Sequence, residues 1–185
     1  MAAWERLQRN GVLRADGRRV WPHFRDAYCW MAEQMRLRLP PNQARYPLWG
    51  WYRWDGTGRP RPDLRASAHL PRGTAGVRIE IELDDSLVLL SDFQAWHCVL
   101  NRCFNSLNEG EFEAFHAEMD AAGVTGPWPY PEPFRSRVAS SWQRIFDLEG
   151  GDDDWCGPVC RRCVQATFWE LKLSHVRRVD AFRAR

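Results

Sequence analysis

Apolar and charged residues alternate strictly from Gly76 to Leu83, with Val, Ile and Leu on one side and Arg and Glu on the other. A period of two residues predicts a β-strand with one buried and one solvated face. Residues 46–54 carry aromatic or apolar side chains on both alternating sides, which indicates a strand covered on both faces. Residues 164–173 show the same two-sided pattern, which predicts a central strand.

Apolar residues recur every three or four positions in other segments, and this spacing predicts helices. The predicted helices are residues 3–10, 22–38, 92–104, 109–121, 136–147 and, in the tail, 174–184. Ser91 and Gln94 have the spacing of a capping box, so Ser91 is expected to cap the helix that begins at Asp92. The acidic helix 109–121 is expected to bury Phe112, Phe115 and Met119.

Glycine and proline mark the connections between these elements. They are frequent in residues 55–75, which predicts a long irregular connection of a kind that is usually functional or mobile. Prolines alternate with aromatic residues over 127–134, which favours an extended, polyproline-like strap. The fold predicted is α+β, one domain over residues 1–185. Its small mixed or antiparallel sheet is built from 46–54, 76–83, 87–90 and 164–173, with helices packed around it.

The composition is that of one globular domain able to bury a core, since 44% of the 185 residues are hydrophobic. No apolar run could span a bilayer and the N-terminus has no signal-peptide core, so a cytoplasmic protein without a membrane partner is expected. The net charge of +2 conceals blocks of +8 over 1–72, −11 over 73–155 and +5 over 156–185. Either these blocks pair with one another, or the basic residues line a cleft for an anionic ligand.

Six cysteines without a secretory signal favour reduced thiols over a disulfide framework. Cys156, Cys160 and Cys163 bring three thiols close together, but zinc needs a fourth ligand, for which His116 or Cys103 would have to serve. Since no second CxxC pair exists, packing thiols are favoured over a metal site. The spacing between Cys156 and Cys160 also departs from the CxxC redox motif, which disfavours a redox role for those two residues.

Glu170 is the carboxylate with the most chemical interest. It lies on a face of the predicted central strand that begins with Val164, Ala166 and Phe168, and a buried carboxylate must be paired or functional. It is therefore either the partner of an Arg or a site residue. The sequence has no Gly-rich phosphate loop, Walker motif, HExxH or paired-carboxylate signature, which disfavours Rossmann and P-loop chemistry.

A series of short motifs along nearly the whole chain resembles a bacterial family known only as a domain of unknown function. These motifs are Trp4–Gln8, Gly11–Arg14, Tyr28–Met31, Tyr46–Trp49, Pro62–Arg65, Leu89–Phe93 with Trp96, and Gln165–Glu170. The resemblance implies a single compact domain without an assigned activity. It also implies a strand before the Trp4 helix, for which this sequence offers no candidate.

A second resemblance is to the ADP-ribosyltransferase fold. That fold has, in order, an N-terminal strand bearing His or Arg, a helix, an aromatic strand and a late strand with a catalytic Glu. Segment 46–54 and Glu170 match this order, but no first-strand residue is identified. The resemblance implies NAD as cofactor and Glu170 as the catalytic residue that stabilises an oxocarbenium-like centre or orients a nucleophile. The ligand-binding residues it implies are Trp49, Trp51 and Tyr52, stacked on a nicotinamide or base, and Arg53 and Arg65, holding phosphate.

A different class of function fits the same residues. The aromatic and Arg side chains would engage a protein or nucleic-acid partner without turnover. A net charge of +2 argues against avid nonspecific binding of nucleic acid, so a protein partner is favoured within this class. Mutation of Glu170 would then affect stability more than binding. The sequence leaves both functions open.

Overall fold

The computed structural model describes residues 2–54, 62–65 and 70–185. Its helices are α1 (Ala2–Asn10), α2 (Arg25–Arg38), α3 (Phe93–Asn101), α4 (Glu109–Ala121), α5 (Phe134–Ser141) and α6 (Asp153–Cys156). Its strands are β1 (Val12–Arg14), β2 (Leu48–Arg53), β3 (Ala75–Ile81), β4 (Leu89–Asp92), β5 (Val164–Phe168), β6 (Glu170–Lys172) and β7 (Val176–Arg183). Single turns of 3₁₀-helix lie between several of them. The α+β class predicted from the sequence is confirmed.

The described strands form three small sheets rather than the one predicted. β1 pairs antiparallel with β6, β3 pairs antiparallel with β7, and the third sheet has the order β2-β5-β4. The prediction of a single sheet is therefore wrong, because β3 pairs with a tail strand that the sequence pattern did not indicate.

Contacts between residues divide the chain into two compact units. The first comprises residues 1–50, 61–89 and 166–185, and the second comprises residues 51–60 and 90–165. The single domain over 1–185 stays a prediction. Within the described residues, no helix has both the length and the apolar character needed to cross a bilayer.

The core of the first unit forms where α1 meets β1 and β6. Leu7, Leu13, Phe168 and Leu171 are buried together, and each such side chain contributes about 1.5–3 kcal/mol when it leaves water. α1 stops at Gly11, whose φ of 70° suits glycine and whose N–H donates to the Leu7 carbonyl at 2.8 Å. β1 therefore follows α1 after a single residue, and the two elements contact each other.

The core of the second unit is built by α3, α4 and α5. Val99, Phe115, Val138 and Ile145 are almost completely buried. The Phe104 ring stacks on Phe115 with centroids 4.1 Å apart. These packed side chains, one from each helix or its flanking turn, hold the helices of this unit against one another.

The predicted central strand 164–173 is broken in the structure. β5 ends at Phe168, a bend occurs at Trp169, and β6 begins at Glu170. The two pieces join different sheets. No glycine or proline marks the bend, so the sequence pattern gave no sign of it, and the prediction of one continuous strand is wrong.

The tail is a strand and not the predicted helix 174–184. β7 pairs along its length with β3, where Val179 lies opposite Ile79 and the Arg78 Nη2 atom donates to Asp180 at 2.6 Å. The segment is too short for the spacing of its apolar residues to distinguish a helical period from a strand period. Pairing with a neighbouring strand decides the outcome, since β-branched and aromatic residues suit a pleated surface.

The start of α3 differs by one residue from the prediction. Ser91 belongs to β4, and the Asp92 carboxylate caps the helix by accepting from the Ala95 N–H at 2.8 Å. The predicted capping box is therefore wrong, and α3 also ends at Asn101, short of residue 104. Asp92 caps the helix instead of Ser91 because it lies one position nearer to the N–H groups of the first turn, which have no partner within the helix.

Several other predicted elements hold with small changes. α1, α2, α4 and β2 lie within a few residues of their predicted bounds, and Phe115 and Met119 are buried as expected. Phe112 is 39% exposed, so its predicted burial is wrong. Segment 127–133 contains bends and a turn without helix or strand. Of the predicted connection 55–75, residues 55–61 and 66–69 lie outside the described residues.

Candidate functional site

Arg14 and Glu170 form the ion pair at the centre of the candidate site. They are register partners on β1 and β6. The Nε and Nη2 atoms of Arg14 both donate to Oε2 of Glu170, at 3.0 and 2.7 Å. The Glu170 side chain is 18% exposed and that of Arg14 is 51% exposed, so the pair lies at the surface with its carboxylate partly covered.

Strand alternation explains why this pair faces outwards. Leu13 and Leu171 lie opposite each other one position earlier and later, and both are buried in the core. Successive side chains of a strand point to opposite faces, so Arg14 and Glu170 share the other face. Lys172 lies on that face too, with its Nζ atom 3.6 Å from Oε1 of Glu170. Burial of the leucines thus fixes the direction of the charges.

The pair forms one wall of an open cleft of about 380 Å³. The segment that follows α2 supplies the remaining lining side chains, Pro41, Asn42 and Gln43. The Asn42 side chain accepts from the Ala44 N–H at 2.8 Å and also hydrogen-bonds to Glu170. Two carboxamides, one guanidinium and one carboxylate therefore surround the opening.

Glu170 is ionised at neutral pH. Burial alone would raise the pKa of Glu170, but the hydrogen bond and charge of Arg14, with the charge of Lys172, outweigh it and hold the pKa below its ordinary value. A carboxylate of lowered pKa is a weak proton acceptor. It is suited to stabilise positive charge.

A smaller and more enclosed pocket of about 100 Å³ adjoins the cleft. The two share Pro41, Asn42 and Glu170, and the apolar lining of the smaller pocket includes Leu39, Pro40, Leu87, Phe168 and Trp169. The indole Nε1 of Trp169 is buried without a hydrogen-bond partner among the described residues. The site thus joins a polar opening to an apolar recess.

Two of the three aromatic residues predicted to bind a ligand have partners of their own. Trp49 packs edge-on against Tyr28, with ring centroids 5.7 Å apart. Trp51 packs edge-on against Trp54 at 4.5 Å and against Phe93 at 4.8 Å. Tyr52 is 65% exposed. Trp49 shares a unit with Glu170 but is not among the described residues that line its cleft.

The two arginines predicted to hold phosphate are also engaged. The Nε atom of Arg53 donates to the Arg162 carbonyl at 3.0 Å. Arg65 donates from Nε and Nη2 to both oxygens of Asp63, at 2.7 and 2.9 Å, which lowers the pKa of Asp63 to about 2. Neither arginine is free of an internal partner.

The cysteines predicted to lie close together are not joined by disulfides in the structure. Cys160 is exposed, while Cys156 and Cys163 are half-buried. The Cys156 thiol donates to the Leu107 carbonyl at 3.6 Å. Across the described parts of the chain, no group of three or more His, Cys, Asp or Glu side chains is placed to hold a metal ion.

Sequence reasoning missed Arg14 and Asn42 as site residues. A signal for Arg14 was present, since Gly11 stops a helix and the pair Val12-Leu13 after it could begin a short strand. Asn42 gave no signal, because its position depends on where α2 ends relative to β6. A loop residue of this kind is placed by tertiary contacts alone.

The fold and cleft define a small α+β protein with an ion-paired carboxylate at an open polar site. The family model described as a domain of unknown function, DUF3841, matches residues 1–177 of the chain. The chain therefore belongs to this family. No curated protein and no solved structure matches it at a significant level.

Proposed function

We propose that this chain uses NAD as an ADP-ribosyl donor in the cleft over Arg14 and Glu170. The bond between the ribose C1 carbon and nicotinamide breaks, nicotinamide leaves with the bonding electrons, and an acceptor forms the new bond to C1 and loses a proton to solvent. Glu170 stabilises the positive charge that develops on the ribose. The observation that carries the proposal is the pairing of an early-strand Arg with a late-strand Glu at the wall of a cleft.

The order of elements supports this proposal. The ADP-ribosyltransferase resemblance requires an early strand bearing His or Arg, a helix, an aromatic strand and a late strand with Glu. β1 with Arg14, α2, β2 and β6 with Glu170 occur in that order. In this proposal Arg14 takes the place of the first-strand residue, which the sequence analysis did not identify.

The electrostatics of Glu170 suit this chemistry. Cleavage of the glycosidic bond passes through an oxocarbenium-like state, and a fixed negative charge beside it lowers the barrier. Since Arg14 and Lys172 keep Glu170 ionised, that charge is present without any prior proton transfer. The role is electrostatic, and proton abstraction is not assigned to this carboxylate.

The lining of the site offers complementary contacts to a dinucleotide. Arg14 and Lys172 supply positive charge for phosphate, and the carboxamides of Asn42 and Gln43 can hydrogen-bond to ribose hydroxyls. The apolar recess beside Trp169 offers a surface for a planar ring. Arg53 and Arg65 are left out of this assignment because neither is among the residues that line the cleft or the recess.

Release of nicotinamide tests the proposal without knowledge of the acceptor, because water can serve as one. The full chain is incubated with NAD, and free nicotinamide is measured by chromatography. Glu170→Gln is expected to lower the rate by about 10²-fold or more, the size of a lost electrostatic contact to a transition state. Glu82→Gln is the matched control, since Glu82 also pairs with an arginine, Arg177 at 2.6 Å, and lines neither pocket described above. Equal rates in both variants would remove Glu170 from the mechanism.

Binding without turnover is the second candidate function, and one observation favours it. The Nε and Nη2 atoms of Arg14 both donate to Oε2 of Glu170 while Lys172 lies near Oε1, so both carboxylate oxygens already have cationic neighbours. A protein partner would then engage the exposed charges and aromatic side chains of the surface. In that case Glu170→Gln lowers the free energy of unfolding, and nicotinamide release stays at the background rate in the wild-type chain and in both variants.

A further inference from the structure

The C-terminus of α3 brings two cysteines together. Arg102 adopts a left-handed conformation with φ of 56° just beyond the helix, and its N–H donates to the Val99 carbonyl at 3.2 Å. The Cys103 N–H donates to the Cys98 carbonyl at 2.9 Å. These two bonds define a Schellman motif, in which the side chains at the positions of Cys98 and Cys103 commonly contact each other.

The geometry of the motif suits a disulfide. With standard backbone dimensions, the 2.9 Å bond holds the Cα atoms of Cys98 and Cys103 at most about 7 Å apart, and bending of the hydrogen bond shortens this further. The Cys103 thiol folds back towards the helix, since its Sγ atom lies 3.6 Å from the Cys98 carbonyl oxygen. The two thiol groups also hydrogen-bond to each other. Both residues are half-buried.

We propose that Cys98 and Cys103 are a redox-active dithiol that closes to an intramolecular disulfide by exchange with a low-molecular-weight disulfide. Cys103, as thiolate, attacks one sulfur of the reagent, forms a mixed disulfide and releases one small thiolate. Cys98 then loses its proton and attacks the Cys103 sulfur, which releases the second small thiolate. Two protein thiols are oxidised, one reagent disulfide is reduced to two thiols, and no other oxidant is needed.

The electrostatics of the pair assign these two roles. The hydrogen bond from Cys98 lowers the pKa of Cys103 and favours its thiolate, which is the attacking form. The hydrogen bond to Cys103, together with burial, raises the pKa of Cys98. Cys98 is therefore the resolving thiol, which reacts only when the mixed disulfide lies beside it.

Cys156 is the competitor that the experiment has to separate. A negative charge on the Cys156 sulfur would help to raise the pKa of Cys98, so Cys156 lies near this pair. Burial raises the pKa of Cys156, and its thiol is engaged with the Leu107 carbonyl at 3.6 Å. Main-chain hydrogen bonds of one motif hold Cys98 and Cys103 together, whereas the position of Cys156 depends on how α6 packs.

The sequence makes the disulfide easy to detect. Trypsin cleaves after Arg102, which places Cys98 in fragment 79–102 and Cys103 in fragment 103–135. Cys156 falls in a third fragment, 145–161, and Cys163 in a fourth, 163–172. A disulfide between Cys98 and Cys103 therefore links two fragments that otherwise separate.

The experiment uses the full chain with the exposed thiols removed by Cys29→Ser and Cys160→Ser, which leaves four of the six cysteines. The folded protein is treated with oxidised glutathione, remaining thiols are alkylated, and tryptic fragments are weighed. The expected result is a loss of two of the four free thiols and a linked pair of fragments 79–102 and 103–135. In Cys98→Ser, Cys103 is expected to stop at the mixed disulfide and retain one glutathione.

Repeating the treatment in denaturant shows whether the fold directs the reaction. The yield of the linked pair is expected to fall several-fold, because the Schellman motif no longer holds the thiols together. Recovery of both fragments unlinked from the folded protein would overturn the proposal. Linkage of Cys103 to Cys156 in fragment 145–161 would overturn it as well.

Discussion

Arg14 and Glu170 lie 156 positions apart in the sequence and directly opposite each other on β1 and β6, where two Arg14 nitrogens donate to one Glu170 oxygen. The pairing depends on the burial of Leu13 and Leu171 on the opposite face of the same two strands. Packing of two leucines therefore determines which charges meet at the cleft. The site is a consequence of the core beneath it.

The ion pair predicts how stability depends on pH. The pKa of Glu170 in the folded chain lies below its ordinary value, so the unfolded chain takes up the proton first as the pH falls. The stabilisation is complete above the ordinary pKa near 4.5 and is lost as the pH falls through the lowered one. Glu170→Gln is expected to cost about 1 kcal/mol or less at pH 7, because Arg14 is half-exposed. Urea unfolding of the wild-type chain and of Glu170→Gln from pH 7 to pH 3 measures this difference in stability. A difference that does not change with pH would contradict the lowered pKa of Glu170.

The cap of α3 predicts that substitutions at two neighbouring residues differ in their effect on stability. Asp92→Ala is expected to lower the free energy of unfolding by about 1 kcal/mol, because the Ala95 N–H loses its acceptor. Ser91→Ala is the control, since the Ser91 hydroxyl is buried without a hydrogen-bond partner among the described residues, and it is expected to cost nothing. Chemical denaturation distinguishes them. A larger loss of unfolding free energy in Ser91→Ala than in Asp92→Ala would contradict this cap and support the capping box predicted from the sequence.

Two phenylalanines of α4 predict a contrast in the second unit. Phe115 is 2% exposed and stacks on Phe104, so Phe115→Ala is expected to destabilise the chain by about 3–5 kcal/mol. Phe112, one helical turn earlier, is 39% exposed and contacts His116 and Trp155. Phe112→Ala is therefore expected to cost clearly less. Thermal unfolding followed by circular dichroism measures both, and equal losses would contradict the packing described.

The tail strand predicts the effect of a single methyl group. Gly76 lies opposite Phe182, and a Cβ atom added to Gly76 would come within 2.5 Å of the Phe182 ring. Gly76→Ala is expected to cost about 1–3 kcal/mol through overpacking. Gly50→Ala, also in a strand, places its Cβ at 3.5 Å from Phe168 and is expected to be tolerated. If both variants unfold alike, β7 does not pair with β3 in this register.

Sequence patterns predicted the elements whose signal is local. α4 matches its prediction to the residue because Asn108 and the acidic first turn start it and glycine ends it nearby. The tail and the break at Trp169 were missed because both depend on pairing with distant strands. Glu170 was found as a candidate from its apolar surroundings, whereas its partner Arg14 required knowledge of the β1–β6 register. Local propensity carries no information on which strand will lie beside which.

Calorimetric titration of NAD into the full chain measures whether NAD binds over Arg14 and Glu170. Saturable binding is expected, and Arg14→Ala is expected to weaken it about tenfold or more, the cost of a lost charged contact. Arg177→Ala is the control, because Arg177 also pairs with a glutamate, Glu82, and lines neither pocket. Absence of saturable binding to the wild-type chain, or equal weakening by both substitutions, would show that NAD does not bind over Arg14 and Glu170.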